Sequence, residues 1–315
     1  MAKKLFVLIP AVTIAFWGFS LLSQYQSQAM PTPNLDPPVQ PLRNLGDKTL
    51  QAALIKEINK NSKWKSLASQ KKMAIGLVDM RDPARVKFAH VNGNKMMYAA
   101  SLPKIAILLS AMDAMEKGEL KETEEVSRDL HLMISKSDNQ ASTRMIDRLG
   151  YKKIESVLTD PKYKLYDKNY GGGLWVGKRY AKQGARNPDP MMGLSHAATA
   201  AQVCRFYYLM ALKQLVSPQR SEQMMEIMEG PALHHKFVNT LDRIAPEARV
   251  FRKSGSWRTY HSDSAMVLGP ERHYILVALI EDAEGESICR QLVLSVEEAL
   301  KKTPPNSGST AQRPG

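Results

Sequence analysis

The order of apolar patterns along the chain is the feature that most restricts its fold. Five short runs combine strand-forming residues with flanking turn residues: 73–80, 85–91, 249–253, 262–268 and 274–280. Helical patterns open at Asp47, dominate 102–228 and close the chain at 287–300. Strands from both ends must therefore meet in one antiparallel sheet. We predict an α+β fold, in which a five-stranded antiparallel sheet is flanked by terminal helices and carries an inserted all-helical subdomain.

The two ends of the chain differ in composition from this central part. Two lysines precede an apolar stretch at 5–22 and small residues follow it, so residues 1–29 are predicted to be a signal peptide. The stretch is also long enough for an N-terminal membrane anchor, which remains the alternative. Pro-rich residues 30–46 are typical of a linker, and residues 303–315 of a disordered tail. The folded domain is thus expected at 47–302.

The charge and the cysteines of the chain limit which partners and metal sites it can have. Lys and Arg number 44 against 31 Asp and Glu, a formal charge of +13, which favours anionic partners. The bases are scattered and no nucleic-acid-binding signature is present, so we expect no nucleic-acid partner. Cys204 and Cys289 lack metal-ligand or redox spacing. We expect no metal site, and whether the two cysteines pair stays open.

Three short motifs that carry chemistry follow one another: Ser101-Leu-Pro-Lys104, Ser137-Asp138-Asn139 and Lys253-Ser254-Gly255. The Ser-x-x-Lys pattern alone is weak, because it also begins at Ser62 and at Ser69. Only Lys104 leads into a long apolar helical pattern, at 105–115. This context selects Ser101 as the nucleophile, in the first turn of that helix.

The spacing of the first motif suits nucleophilic catalysis. Residues three apart on a helix share a face, so Lys104 is placed to take the proton of the Ser101 hydroxyl. A lysine acts as a base only when neutral, and burial together with the positive charge of Lys253 would lower its pKa. Taken alone, Ser137 and Asp138 could simply cap a helix. The coincidence of all three motifs favours the catalytic interpretation.

Together the motifs resemble those of the penicillin-recognising serine hydrolases, and most closely those of the class A β-lactamases. The resemblance spans about residues 47–302. It implies a β-lactamase/transpeptidase-like fold and an acyl-enzyme formed at Ser101 on a β-lactam or a related amide, without a cofactor. Together with residues 1–29 it leads us to expect an exported bacterial protein, periplasmic or anchored to the inner membrane and facing the periplasm. The oligomeric state stays open, and a monomer is the expectation.

The resemblance also implies a role for each remaining motif residue. Ser137 would pass a proton to the leaving nitrogen, and Asn139 would hold the substrate amide. The backbone N–H of Ser101 and that of Ser256 would bind the developing oxyanion. The substrate carboxylate would be gripped by Lys253, Ser254 and Arg258, and Gly255 is predicted to line the same substrate-binding site.

One departure from the class A pattern leaves the activity open. Those enzymes carry a Glu-x-x-Leu-Asn motif in the Ω-loop, whose glutamate activates the deacylating water. Between residues 163 and 194 the only acids here are Asp167 and Asp189, and Asp189 suits a structural turn better than catalysis. The alternatives are therefore a D,D-peptidase or penicillin-binding amidase of peptidoglycan, or a non-catalytic sensor of β-lactams or muropeptides.

Overall fold

The structure is a computed structural model that describes residues 40–303. The predicted signal segment, most of the linker and most of the tail lie outside the described residues. Within them the helices are α1 Lys48–Asn59, α2 Ser62–Ser69, α3 Lys104–Glu116, α4 Glu124–Ser135, α5 Asn139–Thr159, α6 Ala200–Ala211, α7 Pro218–Met228, α8 Phe237–Ile244 and α9 Gly285–Lys301. None of these helices is long and apolar enough to cross a membrane.

The strands form one large sheet and two small ones. The large sheet is antiparallel throughout, in the order β2 Lys87–Val91, β1 Met73–Asp79, β10 Arg272–Glu281, β9 Tyr260–Gly269 and β8 Arg249–Trp257. The smaller sheets join β3 Met97–Tyr98, β7 His196–Ala198 and β6 Trp175–Val176, and pair β4 Tyr166–Asp167 with β5 Gly172–Gly173. The predicted five-stranded sheet, with strands drawn from both ends of the chain, is confirmed.

Each face of the large sheet is covered by helices. Helices α1, α8 and α9 bury one apolar face, where Leu54 and Leu292 are fully excluded from water. Burial of a side chain of that size contributes about 1.5–3 kcal/mol. On the other face α6 lies against β1 and β10, so closely that a Cβ on Gly76 would stand 2.5 Å from the Cys204 sulfur. The predicted layers, terminal helices on one side and the helical middle on the other, are both present.

Helix α3 lies at the centre of the helical subdomain. It packs against α4, α5 and α7, and every side chain from Lys104 to Met115 is buried. A helix that is apolar all round belongs in an interior. Because Lys104 is the first residue of this buried helix, its amine enters the interior at the edge that faces the large sheet.

The packed chain extends beyond the predicted domain boundaries at both ends. Residues 40–46 were assigned to the linker, yet Leu42 is buried in a short 3₁₀ helix, Leu42–Asn44, and Phe88 donates its N–H to the Leu45 carbonyl. Thr303 was assigned to the tail, but it is buried and its hydroxyl donates to the Ala299 carbonyl. Burial of Leu42 and the capping of α9 by Thr303 explain these extensions.

Two local expectations also need correction. Strand β8 does not end at Lys253 but continues to Trp257, because it pairs with β9 along its whole length. Helix α3 begins at Lys104, so Ser101 lies in the turn before the helix rather than in its first turn. Helix α2, which carries the unused Ser62 motif, lies at the surface. Cys204 and Cys289 are both buried and free.

Candidate active site

The turn that carries Ser101 is held in a specific conformation. The Lys104 N–H donates to the Ser101 carbonyl at 3.2 Å, which ties the two ends of the first motif together. Ala100 has a φ of +49°, a left-handed conformation that is uncommon for a residue with a Cβ. The Ser101 hydroxyl makes no hydrogen bond to another residue of the described chain. Its oxygen is therefore not engaged by a protein group before substrate arrives.

The backbone around Ser101 is clamped by the large sheet. A Cβ on Gly255 would stand 2.5 Å from both the Ser101 nitrogen and the Ala99 oxygen, so only glycine fits there. The Ser262 hydroxyl donates to the Ala99 carbonyl at 2.8 Å. The Tyr180 hydroxyl donates to the Ala100 carbonyl at 3.2 Å. The glycine of the third motif thus has a steric role in seating the nucleophile.

Two lysines meet at one serine hydroxyl. Lys253 Nζ donates to Ser137 Oγ at 2.8 Å and to the Ser254 carbonyl at 2.7 Å. Lys104 Nζ lies 3.4 Å from the same Oγ and donates to the Ser137 carbonyl at 2.7 Å and to Asn139 Oδ1 at 2.8 Å. The structure therefore brings all three motifs into contact, with Ser137 at the junction.

The second motif serves both the fold and the cleft. Asp138 caps helix α5 by accepting the Ala141 N–H at 2.6 Å, which is the ordinary structural role of such a residue. Ser137 has a φ of +56°, and Asn139 is the first residue of α5. The strained turn and the cap together direct the Ser137 and Asn139 side chains at the two lysines.

Burial lowers the pKa of both amines. It brings the pKa of Lys104 from its usual 10.5 to about 7, partly opposed by the charge of Asp138. It also lowers the pKa of Lys253 well below its usual value, with a further contribution from the charges of Lys104 and Arg252. No carboxylate of the described residues forms a salt bridge with either amine. A neutral lysine, able to act as a base, is thus accessible near neutral pH.

An aromatic wall covers the other side of Lys104. The ammonium lies 4.4 Å from the centroid of the Tyr180 ring, and that ring lies 4.3 Å from the His196 ring. Burial lowers the pKa of His196 to about 4, so its imidazole is neutral. Sequence reasoning missed Tyr180, because it lies in an irregular loop outside any motif.

A third buried lysine lies against strand β8. Lys236, wholly buried and with a φ of +55°, donates to the Gly255 carbonyl at 2.6 Å and to Ser256 Oγ at 2.8 Å. Next to it Arg252 and Asp263 form a buried ion pair at 2.7 Å, and Asp263 also accepts the Phe237 N–H. These residues fix the strand that carries the third motif. No sequence signal pointed to them, because their pairing is entirely tertiary.

Two other predicted site residues, Ser256 and Arg258, are exposed at the surface. Ser256 is exposed at the end of β8, where its hydroxyl contacts Lys236. Arg258 is exposed in the turn between β8 and β9, and its guanidinium lies 5.8 Å from the Trp257 ring centroid. Within residues 40–303 it contacts no other predicted site residue. Its assignment to the carboxylate subsite gains no geometric support.

Asp189 is fully occupied by its own turn. Its buried carboxylate accepts the N–H groups of Met191 and Met192, each at 3.0 Å, the N–H of Leu194 at 2.5 Å and the hydroxyl of Tyr166 at 3.1 Å. Four donors and burial commit this carboxylate to a structural role in the turn. In the described part of the chain, no cluster of three or more His, Cys, Asp or Glu side chains could hold a metal ion.

Comparison with known proteins fits this geometry. The sequence model of the Beta-lactamase enzyme family matches residues 53–130 and 126–300. The chain belongs to the β-lactamase enzyme family. No curated protein sequence matches it.

Solved structures share the fold of this family member at low identity. A β-lactamase from Sphaerobacter thermophilus DSM 20745 aligns with a TM-score of 0.61 at 15% identity, over 79% of this chain and 95% of that one. PBP-A aligns with a TM-score of 0.58 at 18% identity, over 84% and 99%. A class A β-lactamase described as the last common ancestor of Gram-negative bacteria aligns with a TM-score of 0.60 at 14% identity. The alignment covers 79% of this chain and 99% of that one. The fold is therefore that of β-lactamases and PBP-A.

Proposed function

We propose that this protein is a serine hydrolase that forms an acyl-enzyme at Ser101 on β-lactams or related amides and releases the acyl group slowly. The observation that carries the proposal is the junction of Lys104, Lys253 and Ser137 beside a nucleophile seated by Gly255. A PBP-A mutant among the structural neighbours is described as an acyl-enzyme complex with penicillin G, which supports a penicillin as the probe.

Acylation can proceed with the groups that the cleft provides. The Ser101 oxygen attacks the amide carbon while neutral Lys104 accepts its proton, after giving up one of its bonds to Ser137 or Asn139. The proton then moves through the Ser137 hydroxyl to the leaving nitrogen as the C–N bond breaks. Lys253 Nζ, held beside Ser137, donates a hydrogen bond to that hydroxyl oxygen during the transfer.

Deacylation lacks an equivalent base. A water that attacks the ester needs a proton acceptor within hydrogen-bond reach, which is typically worth about 10²- to 10⁴-fold in rate. The Ω-loop glutamate motif is absent, Asp189 is engaged in its turn, and the Tyr180 ring covers one side of Lys104. We therefore infer that the acyl-enzyme accumulates.

The same observations support a second candidate, a D,D-peptidase or penicillin-binding amidase of peptidoglycan. An enzyme that transfers or slowly hydrolyses a peptide acyl group needs the acylation groups but no fast deacylating base. We also propose that the protein acts outside the cytoplasm, on the basis of the signal-like pattern of residues 1–29.

Intact-protein mass spectrometry tests the proposal directly. After mixing with benzylpenicillin, the protein should gain one penicilloyl mass that persists for minutes. Ser101→Ala should gain none, whereas Ser62→Ala and Ser69→Ala, matched serines of the two other Ser-x-x-Lys patterns, should label like the parent. Rapid consumption of benzylpenicillin without an adduct would show that an efficient deacylating base exists.

Release of D-alanine separates the two candidates. The purified protein is incubated with a D-Ala-D-Ala peptide and, separately, with a chromogenic cephalosporin. Turnover of the peptide alone supports the peptidase, and turnover of the cephalosporin alone supports the β-lactamase. If neither is turned over and no adduct forms, the serine hydrolase proposal is wrong.

A further inference from the structure

A second cavity, of about 640 Å³, lies away from the Ser101 cleft. It is formed by the 3₁₀ helix before α1, the start of α1, strand β2, the start of α6 and the loop around 161–170. Small-molecule sites commonly measure ~300–1,000 Å³, so this cavity is large enough for a ligand. None of the motif residues lines it. The proposed acylation chemistry therefore leaves it without a role.

The lining of this cavity carries more positive than negative charge. Its lining includes four bases, Arg43, Lys48, Lys164 and Arg205, and two acids, Asp47 and Asp167. Four bases against two acids leave a formal charge of +2, and both acids are also bonded to the backbone. Asp47 accepts the Leu50 N–H at 2.7 Å as the cap of α1, and Asp167 accepts the Asn169 N–H at 3.0 Å.

The two guanidinium groups are held in place but not paired. Arg43 stacks over the Tyr170 ring, 4.5 Å from its centroid. Arg205 is half-buried and uses its Nε to donate to the Tyr163 carbonyl at 2.6 Å. Burial and the charge of Arg43 both lower the pKa of Arg205. Like charges are therefore close enough to repel each other in a partly desolvated place.

Several arginines elsewhere in the described chain form salt bridges, unlike the bases of the cavity. Arg144 and Arg148 share the carboxylate of Asp129, and Arg220 binds Glu116 and Glu122. By contrast, the four cavity bases form no salt bridge within residues 40–303. A repulsive cluster around a concavity is relieved when an anion binds there.

The termini of this chain are poor candidates for that anion. Residues 1–39 and 304–315, which lie outside the described structure, contain a single acidic residue, Asp36. One carboxylate cannot balance the formal excess of +2 that four bases and two acids leave in the lining. A separate ligand with several negative charges fits the cavity better.

We propose that this cavity binds a small soluble molecule that carries at least two oxyanion groups, phosphate or carboxylate. The guanidinium forks of Arg43 and Arg205 suit either group, because each presents paired N–H donors. Lys48, at the start of α1, and Lys164, in the loop around 161–170, add positive charge to the lining. The proposal does not depend on the activity of Ser101.

Isothermal titration calorimetry at low ionic strength tests this with two probes, inorganic pyrophosphate and citrate. At least one should bind the purified protein, and which one does assigns phosphate or carboxylate as the preferred group. Arg43→Gln and Lys164→Gln should each weaken binding about tenfold or more. Both residues are exposed, so neither change disturbs the core.

Two control variants make the result decisive. Arg128→Gln removes an equal charge from an exposed position outside the cavity and should leave the affinity unchanged. Ser101→Ala should also bind normally. The proposal is overturned if neither probe binds, if Arg128→Gln weakens binding as much as Arg43→Gln, or if Ser101→Ala abolishes it, which would place the anion in the acylation cleft.

Discussion

In the proposed mechanism, the lowered pKa of Lys104 makes the rate of acylation depend on pH, and the rate should follow the titration of this amine. Only the neutral amine can accept the Ser101 proton, and burial brings its pKa to about 7. The acylation rate constant should therefore rise with pH and level off above neutrality. The direction follows from the chemistry, since deprotonation creates the base.

The size of the effect follows from the same pKa. With a pKa of about 7, about one amine in ten is neutral at pH 6 and about one in a hundred at pH 5. The second-order rate constant for labelling by a fluorescent penicillin should thus fall about 100-fold between its plateau and pH 5. Stopped-flow fluorescence at constant ionic strength measures it, and circular dichroism at each pH checks that the protein stays folded.

Two results would refute this reasoning. A flat profile from pH 5 to pH 9 would mean that no lysine acts as the base. A rate that continues to rise towards 10.5, the usual lysine value, would mean that Lys104 is not desolvated during the reaction. Lys253→Met provides a further check, because burial and not the charge of Lys253 lowers the pKa of Lys104, so the inflection should stay near 7.

Three further changes test the framework of the site. Gly255→Ala places a Cβ against the Ser101 nitrogen, so penicillin labelling should be lost and thermal melting should report a destabilisation of about 1–3 kcal/mol. Tyr180→Ala should expose Lys104 to water and move the pH inflection of acylation to a higher value, whereas Tyr180→Phe should leave the inflection unchanged. Equal pH profiles for the two variants would mean that the Tyr180 ring does not shield Lys104 from water. Asp263→Asn leaves Arg252 buried without its partner and should cost about 3–5 kcal/mol in urea unfolding, and a smaller loss would mean that water relieves the charge.

Sequence patterns were enough to predict the sheet and the meeting of the three motifs. Strand periodicity is a local property, and strands from both ends of a chain have few ways to join. The same patterns missed how far β8 runs past Lys253, because Ser256 and Trp257 are strand residues only through their pairing with β9. They also placed Ser101 inside a helix that in fact begins at Lys104.

The residues around the motifs could not be predicted for a physical reason. Tyr180 and Lys236 act through contacts with backbone atoms far away in sequence, such as the carbonyls of Ala100 and Gly255. Neither residue has a characteristic neighbour in sequence. Their positions depend on loop conformations, which carry no periodicity.

The contacts that hold the backbone around Ser101 have a consequence for the synthesis and folding of the protein. Ser262 holds the Ala99 carbonyl across 163 residues of sequence, and Lys253 reaches Ser137 across 116. A chain synthesised from its N-terminus therefore contains Ser101 long before it contains the strands that seat it. Such distant contacts also form late and slowly in folding. The proposed reactivity of Ser101 should thus be the last property that the growing chain acquires, and a chain cut before β8 should not be labelled by penicillin.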